Sequence, residues 1–179
     1  MSEWRYIFSV GTLAKLPTSY FENLGRYLAL DLGGTHFRVL LVDLDERARG
    51  AEDDMTSRTF DVPSDLMVGS CYPLFDYIAD CVAQFVVDEG LQNERLPLGF
   101  TFSFLCRQVS LNNAVLESWS KGFKCDDALG QNVSQLFADA LAKRDVRVEC
   151  VAVINDTTGW RVASVPRCIA TFLDASASL

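Results

Sequence analysis

The pattern of hydrophobic and polar residues is weak at the start of the chain and becomes regular at Tyr27. Before that point there is little periodicity, and the segment around Pro17 is typical of a break. From Tyr27, leucines alternate with smaller or polar residues, and two glycines and Thr35 follow. The pattern therefore predicts an N-terminal arm over residues 1–26, followed by a strand and a tight turn.

Four further strands are predicted from short apolar runs. Residues 37–44 supply the strand after the glycine turn, and residues 56–62 supply another that Pro63 closes. Residues 98–105 alternate phenylalanines with small or polar residues, so one face can pack while the other contacts a ligand. The unbroken apolar run 150–154 is typical of a strand that is covered on both faces.

Two helices are predicted from apolar residues at three- and four-residue spacing. Residues 73–89 carry one such face, with Pro73 in the first turn and Gly90 directly after the last residue. Residues 133–141 carry another, and Lys143 and Arg144 are favourably placed near its negative end. Residues 119–124, between the two helices, lie in an irregular stretch. Strands interleaved with covering helices indicate an α/β domain.

Length, composition and charge restrict the classes of protein to which the chain can belong. At 179 residues it fits one domain that can bury roughly 70% of its unfolded surface. Hydrophobic residues make up 49%, and no window reaches the roughly 20 apolar residues of a membrane span. A formal charge of -8, without a basic stripe, argues against nucleic acid as a partner. We expect a soluble protein with no membrane span.

The cysteines and the single histidine do not form a recognisable reactive site. The six cysteines are dispersed without a C-x-x-C pair, and the N-terminus lacks the pattern of a secretory signal. We expect reduced thiols in a cytoplasmic protein, with extracellular disulfides as the alternative. Zinc-ligand spacing is absent. His36 lies in a turn, and no serine, cysteine and acid constellation can be assigned to it, so we expect a surface residue rather than a general base.

A phosphate-binding turn is predicted where the first strand ends. Gly33 and Gly34 let backbone amides approach a phosphate without interference from Cβ, and the Thr35 hydroxyl can donate. Beside this turn, Asp31 could hold Mg²⁺ directly or through water, and Arg38 could add a charge-assisted contact. The alternatives are a glycine-containing hairpin turn without chemical function and an exposed arginine at a strand edge.

A second set of polar residues lies at strand ends or in loops and combines hydrogen-bond donors with acceptors. Its members are Ser103, Ser120, Lys121, Asn155 and Asp156. Each hydroxyl of a sugar both donates and accepts a hydrogen bond, so such a mixture suits a polyhydroxylated ligand. Asp156 leaves the tip of a buried strand and is the candidate catalytic base. Taken singly, each residue also fits an ordinary capping or surface position, and Asp156 fits a helix N-cap or a turn.

Four ordered motifs carry a resemblance to a known family. They are LALDLGGTHFRVL at residues 28–40, LGFTFSF at 98–104, WSKGFK at 119–124 and VINDTTG at 153–159. In this order they resemble the eukaryotic hexokinases, and the similarity covers that family's small domain. The resemblance implies an RNase H-like α/β fold of the sugar kinase, actin and heat-shock ATPase superfamily, in which two α/β domains close over a cleft.

The resemblance also implies an activity and the residues that perform it. The family's reaction is the ATP-dependent phosphorylation of glucose, or a similar hexose, at the 6-hydroxyl, with Mg²⁺ on the triphosphate, as in glycolysis. By this resemblance Asp156 takes the proton from the 6-hydroxyl. The residues that it assigns to the sugar are Ser103, Ser120, Lys121, Asn155 and Asp156. The residues that it assigns to the phosphates are Asp31, Gly33, Gly34, Thr35 and Arg38, with Asp31 as the candidate magnesium ligand.

Three departures from the family pattern accompany the resemblance. His36 replaces the usual asparagine of the turn, which we expect to disturb a phosphate contact. Leu105 and Cys106 replace a Pro-Val pair, so the loop behind Ser103 loses a rigid φ and holds the sugar less firmly. Ser120 replaces threonine and keeps the hydroxyl, so we expect a mild effect.

The resemblance divides the chain into an N-terminal arm (1–26), a hexokinase-type small domain (27–159) and a divergent tail (160–179). We expect the family's large domain to be missing, together with its adenosine site. Because closure of the cleft is central to such kinases, we expect little or no turnover by this chain alone. The alternatives are a non-catalytic module that binds sugar or pairs with another hexokinase chain, and a fragment that exposes apolar cleft surface.

Overall fold

The structure, a computed structural model, describes residues 4–9, 12–17, 26–43 and 55–154. The strands in these ranges are β1 (Trp4–Ser9), β2 (Thr12–Pro17), β3 (Arg26–Leu32), β4 (His36–Asp43), β5 (Met55–Asp61), β6 (Leu96–Phe102), β7 (Leu105–Ser110), β8 (Asn113–Ser118) and β9 (Val148–Ile154). The helices are α1 (Cys71–Asp88) and α2 (Val133–Leu141).

A 5-stranded mixed sheet forms the centre of the described fold, in the order β5-β4-β3-β6-β9. β3 pairs antiparallel with β4 and parallel with β6, and β6 pairs parallel with β9. Antiparallel neighbours need only a tight turn, whereas parallel pairs need long crossovers. α1 lies in the crossover from β5 to β6, and α2 precedes β9. The predicted α/β class is confirmed.

The sequence of β3 fits its position between two neighbouring strands. Leu28, Leu30 and Leu32 are fully buried, and Ala29 on the opposite face is buried as well. A central strand that is covered on both faces favours such an apolar run. The strands predicted over 27–32, 37–44 and 56–62 are confirmed as β3, β4 and β5, with bounds shifted by one residue.

Helix α1 has a defined start and stop. The Ser70 hydroxyl accepts a hydrogen bond from the Tyr72 amide at 3.4 Å, and the carboxylate of Asp127 accepts one from the Cys71 amide at 2.7 Å. A carboxylate is favoured at this end because the helix dipole is positive there. The helix stops before Gly90, whose φ of 72° few other residues adopt. The predicted helix is confirmed and begins two residues earlier than predicted.

Helix α2 is confirmed at its predicted bounds. Asn132 caps its start by accepting from the Ser134 amide at 3.1 Å. At its end Arg144 donates to the Ala140 carbonyl at 2.6 Å, which agrees with the predicted cation near the negative end. Neither helix in the described part of the chain has the apolar length that a bilayer crossing requires.

Arg144 also joins the end of α2 to α1. Its guanidinium donates to Asp76 Oδ1 and to Asp80 Oδ1, both at 2.9 Å, and its side chain is only 12% exposed. Lys143 adds a bond of 2.8 Å to the same Asp76 carboxylate. The hydrogen bond from Lys143 is the main cause that lowers the pKa of Asp76. The two helices are therefore fastened by charge-assisted contacts as well as by apolar packing.

The cysteines in the described residues are free thiols, in agreement with the reduced state that their dispersal predicts. They are Cys71, Cys81, Cys106, Cys125 and Cys150. Burial raises the pKa of Cys71 and of Cys106 to about 12, and that of Cys150 to about 11. A thiol needs its thiolate form to react, so these buried thiols are poor nucleophiles. Cys168 lies outside the described residues.

The strand predicted over residues 98–105 is wrong at its end. β6 ends at Phe102, and Leu105 begins the separate strand β7. On the face of small and polar residues, Thr101 is only 3% exposed. The aromatic face packs against α2, where the Phe100 ring lies 5.3 Å from that of Phe137.

Two pairs of strands were not predicted from the pattern of hydrophobic and polar residues. β7 and β8 form an antiparallel hairpin that was not predicted, because register shifts at Leu105/Cys106 and Gln108/Ser110 interrupt the two-residue alternation. The segment predicted as an N-terminal arm contains β1 and β2, which pair antiparallel with Trp4 opposite Pro17. Aromatic and β-branched residues give that segment strand propensity without a clean alternation.

Candidate functional site

The carboxyl ends of three parallel strands meet at one edge of the central sheet. β3 ends at Leu32, β6 at Phe102 and β9 at Ile154. In register, Leu32 lies beside Phe102, and Thr101 lies beside Ile154. We call this the carboxyl edge. Ligands of open α/β sheets bind outside the carboxyl ends of the strands, so this edge is the place to look for a site.

The glycine turn joins β3 to β4 at the carboxyl edge. A Cβ added to Gly33 would lie 4.0 Å from Asp31 Oδ1, and one added to Gly34 would lie 4.0 Å from Lys121 Cδ. Asp31 and Arg38 are partners across the β3-β4 pair. The fold therefore brings the predicted phosphate residues together and adds Lys121, which comes from a different loop.

A short chain of polar contacts follows the glycine turn. The Thr35 carbonyl accepts a hydrogen bond from the Val62 amide at 2.7 Å, which fixes the backbone. The Thr35 Oγ1 lies 2.9 Å from Nδ1 of His36, and the other ring nitrogen lies 3.3 Å from Asp61 Oδ1. The side chains of His36 and Asp61 are 62% and 87% exposed, so His36 is a surface residue as predicted.

Ser103 lies beside the glycine turn at the end of β6. Its amide donates to the Leu32 carbonyl at 3.2 Å, and the residue is only 4% exposed. This bond extends the β3-β6 pairing beyond the last paired residues and fixes the position of the serine. Because hydrogen bonds are stronger in a buried site than in water, a buried hydroxyl is well suited to discriminate between ligands.

An aromatic cluster supports the loop after β8. The Trp119 ring stacks on Phe123 with centroids 5.4 Å apart, and meets the Phe104 ring edge-on at 4.8 Å. The indole Nε1 of Trp119 donates to the Cys125 carbonyl at 2.7 Å. Ring pairs and a partly buried hydrogen bond hold this loop in one conformation, although it has no regular secondary structure.

The loop itself is a tight turn that presents Ser120 and Lys121. The Phe123 amide donates to the Ser120 carbonyl at 3.0 Å, and Lys121 and Gly122 have left-handed φ angles of 55° and 91°. A non-glycine residue in this region is uncommon and costs energy. The Lys121 ammonium lies 5.7 Å from the centre of the Phe104 ring. The turn thus directs Lys121 toward the carboxyl edge.

The described part of the chain contains much of the predicted site but not the residue predicted as its catalytic base. Asp31, the glycine turn, Ser103 and Lys121 converge at the carboxyl edge. Ser120 lies in the same turn as Lys121. Asn155 and Asp156 lie outside the described residues, immediately after β9.

A metal site made by protein side chains alone is absent from the described residues, which contain no suitable group of at least 3 His, Cys, Asp or Glu. Asp31 offers one carboxylate beside the glycine turn. Magnesium usually takes one or two protein carboxylates and completes its shell with phosphate oxygens and water. Asp31 therefore fits a magnesium that arrives with a phosphate ligand.

Sequence reasoning missed two features of the site. The first is the aromatic cluster under the Ser120 turn, for which the alternating phenylalanines of β6 were a usable signal. The second is the approach of Asp61 to His36. That contact follows from the β4-β5 register, in which the two residues are partners, and the register cannot be read from either strand alone.

A family model described as Hexokinase matches residues 8–165 of the chain. The chain belongs to the hexokinase family. Among its hexokinase relatives, the Schistosoma mansoni hexokinase is 46% identical over 135 residues, which are 75% of this chain and 30% of that protein. Human Hexokinase-3 is 45% identical over 148 residues, which are 80% of this chain and 16% of that protein. This hexokinase-family chain thus spans less than a third of these curated relatives.

Solved hexokinase structures share the fold of this hexokinase-family chain. The Schistosoma mansoni hexokinase complexed with glucose matches with a TM-score of 0.68 and 46% identity, over 74% of this chain and 29% of that one. A second hexokinase crystal structure matches with a TM-score of 0.66 and 35% identity, over 86% of this chain and 35% of that one. The expected family and its small-domain α/β fold are confirmed.

Proposed function

We propose that this chain forms the small-domain wall of a hexose kinase site. The reaction is the ATP-dependent phosphorylation of glucose, or a similar hexose, at the 6-hydroxyl. The observation that carries the proposal is the convergence of the glycine turn, Ser103 and Lys121 at the carboxyl edge of a hexokinase-family chain. A relative was solved in complex with glucose, which supports a sugar as the ligand.

The sugar is held by side chains that both donate and accept hydrogen bonds. These are Ser103, Ser120, Lys121, Asn155 and Asp156. The burial of Ser103 and the rigid turn that carries Lys121 support this role, since a preformed site loses little entropy when a ligand binds. A site that pairs each hydroxyl rejects hexoses that lack one, because its own polar atoms would go unpaired.

Asp156 acts as the general base in this proposal. It accepts the proton of the 6-hydroxyl as that oxygen attacks the terminal phosphorus of ATP and the bond to the ADP oxygen breaks, and such a base contributes about 10²- to 10⁴-fold to the rate. The support is positional. Ile154 ends β9 beside Thr101, and Ser103 follows Thr101 by two residues along β6. β9 thus ends at the edge where Ser103 lies, and Asp156 follows its last residue by two positions in the sequence.

The phosphates of ATP lie against the glycine turn in this proposal. The amides of Gly33 and Gly34, the Thr35 hydroxyl and the guanidinium of Arg38 bind phosphate oxygens, and Asp31 holds Mg²⁺. The residues fit these groups, because no Cβ occupies the space beside the turn and one carboxylate stands next to it. When bound, Mg²⁺ neutralises charge on the phosphates.

The 179-residue chain is proposed to bind sugar with little turnover of its own. It spans 30% of the Schistosoma mansoni relative that it matches, and phosphoryl transfer depends on alignment in a closed site. The remaining wall comes from further sequence or from another hexokinase chain. A cytoplasmic location is supported by free thiols at the five described cysteines, which suit a reducing compartment.

Calorimetry and a coupled assay test this proposal on the 179-residue chain. We expect glucose binding that Ser103→Ala weakens about tenfold. Ser110→Ala is the matched control, because Ser110 is exposed in the β7-β8 hairpin, and it is expected to leave affinity unchanged. Any glucose 6-phosphate formed should disappear with Asp156→Asn. A folded chain that does not bind glucose contradicts the proposal, and turnover that survives Asp156→Asn contradicts the role of that residue.

A further inference from the structure

Thr35 has one hydroxyl proton, and the imidazole of His36 lies where it can accept a hydrogen bond from that hydroxyl. The Thr35 Oγ1 is 2.9 Å from Nδ1 of His36, and the ring's Nε2 is 3.3 Å from Asp61 Oδ1. An ionised carboxylate only accepts hydrogen bonds, so its approach favours a ring proton on Nε2. A neutral imidazole with that proton on Nε2 has an acceptor at Nδ1. The Thr35 hydroxyl then donates to His36 and has no proton left for another acceptor.

We propose that His36 is a positioning residue that controls whether Thr35 can donate to a phosphate at the glycine turn. When the imidazole gains a second proton, both ring nitrogens are donors, and Nδ1 donates to the Thr35 Oγ1. The Thr35 hydroxyl proton is then free to turn toward a phosphate oxygen. The charged ring also attracts the anion. This inference rests on the proposed function of the glycine turn.

The surroundings of His36 set the size of this effect. Asp61 is the carboxylate that faces the ring, and Arg38 lies two residues along β4 from His36, paired with Asp31 of β3. Tyr77 donates to the Asp61 carbonyl at 2.8 Å and leaves its carboxylate available to His36. Since the His36 side chain is 62% exposed, water competes for both ring nitrogens, and we expect a moderate effect.

The tautomer of His36 can be observed without interference. The chain contains 1 histidine, so the imidazole nitrogens in a ¹⁵N spectrum belong to His36 alone. At a pH of about 8, where a histidine is ordinarily neutral, we expect the proton on Nε2. A ring with its proton on Nδ1 would overturn the inference, because Thr35 would then keep its own proton.

Sulfate is the probe for anion binding, because its charge of two does not change between pH values of about 6 and 8, unlike that of phosphate. Binding is followed by the amide shifts of Gly33 and Gly34. We expect sulfate to bind about fivefold more tightly to the wild-type chain at pH about 6 than at pH about 8, because a histidine ordinarily changes its charge between these two values. His36→Asn should reduce this difference to less than about twofold.

Thr35→Val separates the two contributions of the charged ring. It removes the hydroxyl and leaves the imidazole. Most of the increase in sulfate affinity at low pH should therefore disappear, and the charge of the ring alone should give a small remaining increase. An equal pH dependence in wild type and His36→Asn would overturn the inference. Wild-type binding that is the same at both pH values would also overturn it and leave the proposed function intact. If sulfate shifts neither glycine amide at either pH, both the inference and the phosphate role of the turn are contradicted.

Discussion

Gly34 and Gly122 are both glycines of the candidate site, but different physical requirements explain them. Gly122 has a φ of 91°, which strains any residue with a Cβ. Gly34 has no such angle, and an added Cβ would make ordinary contact, 4.0 Å from Lys121 Cδ. Gly122 therefore serves the conformation of its turn, whereas Gly34 leaves space beside a charged side chain.

Gly34→Ala is expected to fold normally and to bind anions poorly. Its added methyl group meets nothing closer than 4.0 Å, so we expect a change of at most about 0.5 kcal/mol in the free energy of unfolding. The methyl group occupies the space that a phosphate oxygen would use, so sulfate affinity should fall about tenfold. Urea denaturation and a sulfate titration measure the two quantities.

Gly122→Ala is the control for Gly34→Ala. The positive φ should cost about 1–2 kcal/mol of stability, and the added Cβ would also lie 3.5 Å from Met67 Cε. Equal stability losses in the two variants, or full sulfate affinity in Gly34→Ala, would contradict this account. In it, Gly34 leaves space for an anion and Gly122 permits the left-handed conformation of its turn.

The sequence was informative where the residues of a candidate site are neighbours along the chain. The paired glycines and Asp31 predicted a phosphate turn, and the fold brings them together. The sequence did not reveal that Lys121 approaches Gly34. That approach depends on the left-handed conformation of a loop that lies 87 residues further along the chain. Contacts across such distances follow from tertiary packing and not from local pattern.

At the scale of elements, the loop that carries Ser120 and Lys121 depends on Trp119. Trp119→Phe keeps the ring stacking but removes the indole bond to the Cys125 carbonyl, which is 2.7 Å long. Loss of a partly buried hydrogen bond should cost about 1 kcal/mol in the free energy of unfolding. A less rigid loop should also weaken glucose binding several-fold, as measured by calorimetry.

Tyr72→Phe is the control for Trp119→Phe, since Tyr72 is 53% exposed on α1. It should change neither the unfolding free energy nor the glucose affinity. If Trp119→Phe also leaves both quantities unchanged, the aromatic cluster does not support the site.

Elements with a strict period were predictable, and those with interrupted periods were not. α2 was predicted at its observed bounds because its apolar residues keep helical spacing. The β7-β8 hairpin was missed because its register shifts move side chains to the opposite face. The end of β6 was misplaced because the alternation of phenylalanines continues to Phe104, beyond the last strand residue.

At the scale of the whole molecule, Arg144 connects the two helices of the described fold. Arg144→Met keeps much of the apolar stem but removes the bonds to Asp76, Asp80 and the Ala140 carbonyl. Since the arginine side chain is only 12% exposed, we expect a loss of about 2 kcal/mol in the free energy of unfolding, measured by urea denaturation.

Arg95→Met is the matched control for Arg144→Met. Arg95 pairs with Glu149, but the two side chains are 79% and 56% exposed, so this substitution should cost less than about 1 kcal/mol. If the two variants lose the same stability, burial is not what makes the Arg144 contacts important.

The contacts of Asp76 also predict how stability depends on acid. Lys143 is the main cause of a lowered pKa for Asp76 in the folded chain. A carboxylate with a lower pKa in the folded state stabilises the fold above its unfolded pKa of about 4, and this contribution is lost as pH falls through the folded value. Lys143→Met should therefore reduce the loss of stability as pH falls below about 4. An unchanged acid dependence would contradict this role.

The location of the sugar is the central claim, and an amide NMR titration of the full chain with glucose tests it most directly. We predict saturable changes in the amide chemical shifts of Ser103 and of the Lys121 turn, with one dissociation constant. The amide shifts of the β7-β8 hairpin tip should not change. Shifts that are confined to other surfaces, or no saturable shift at the carboxyl edge in a folded chain, would contradict the account.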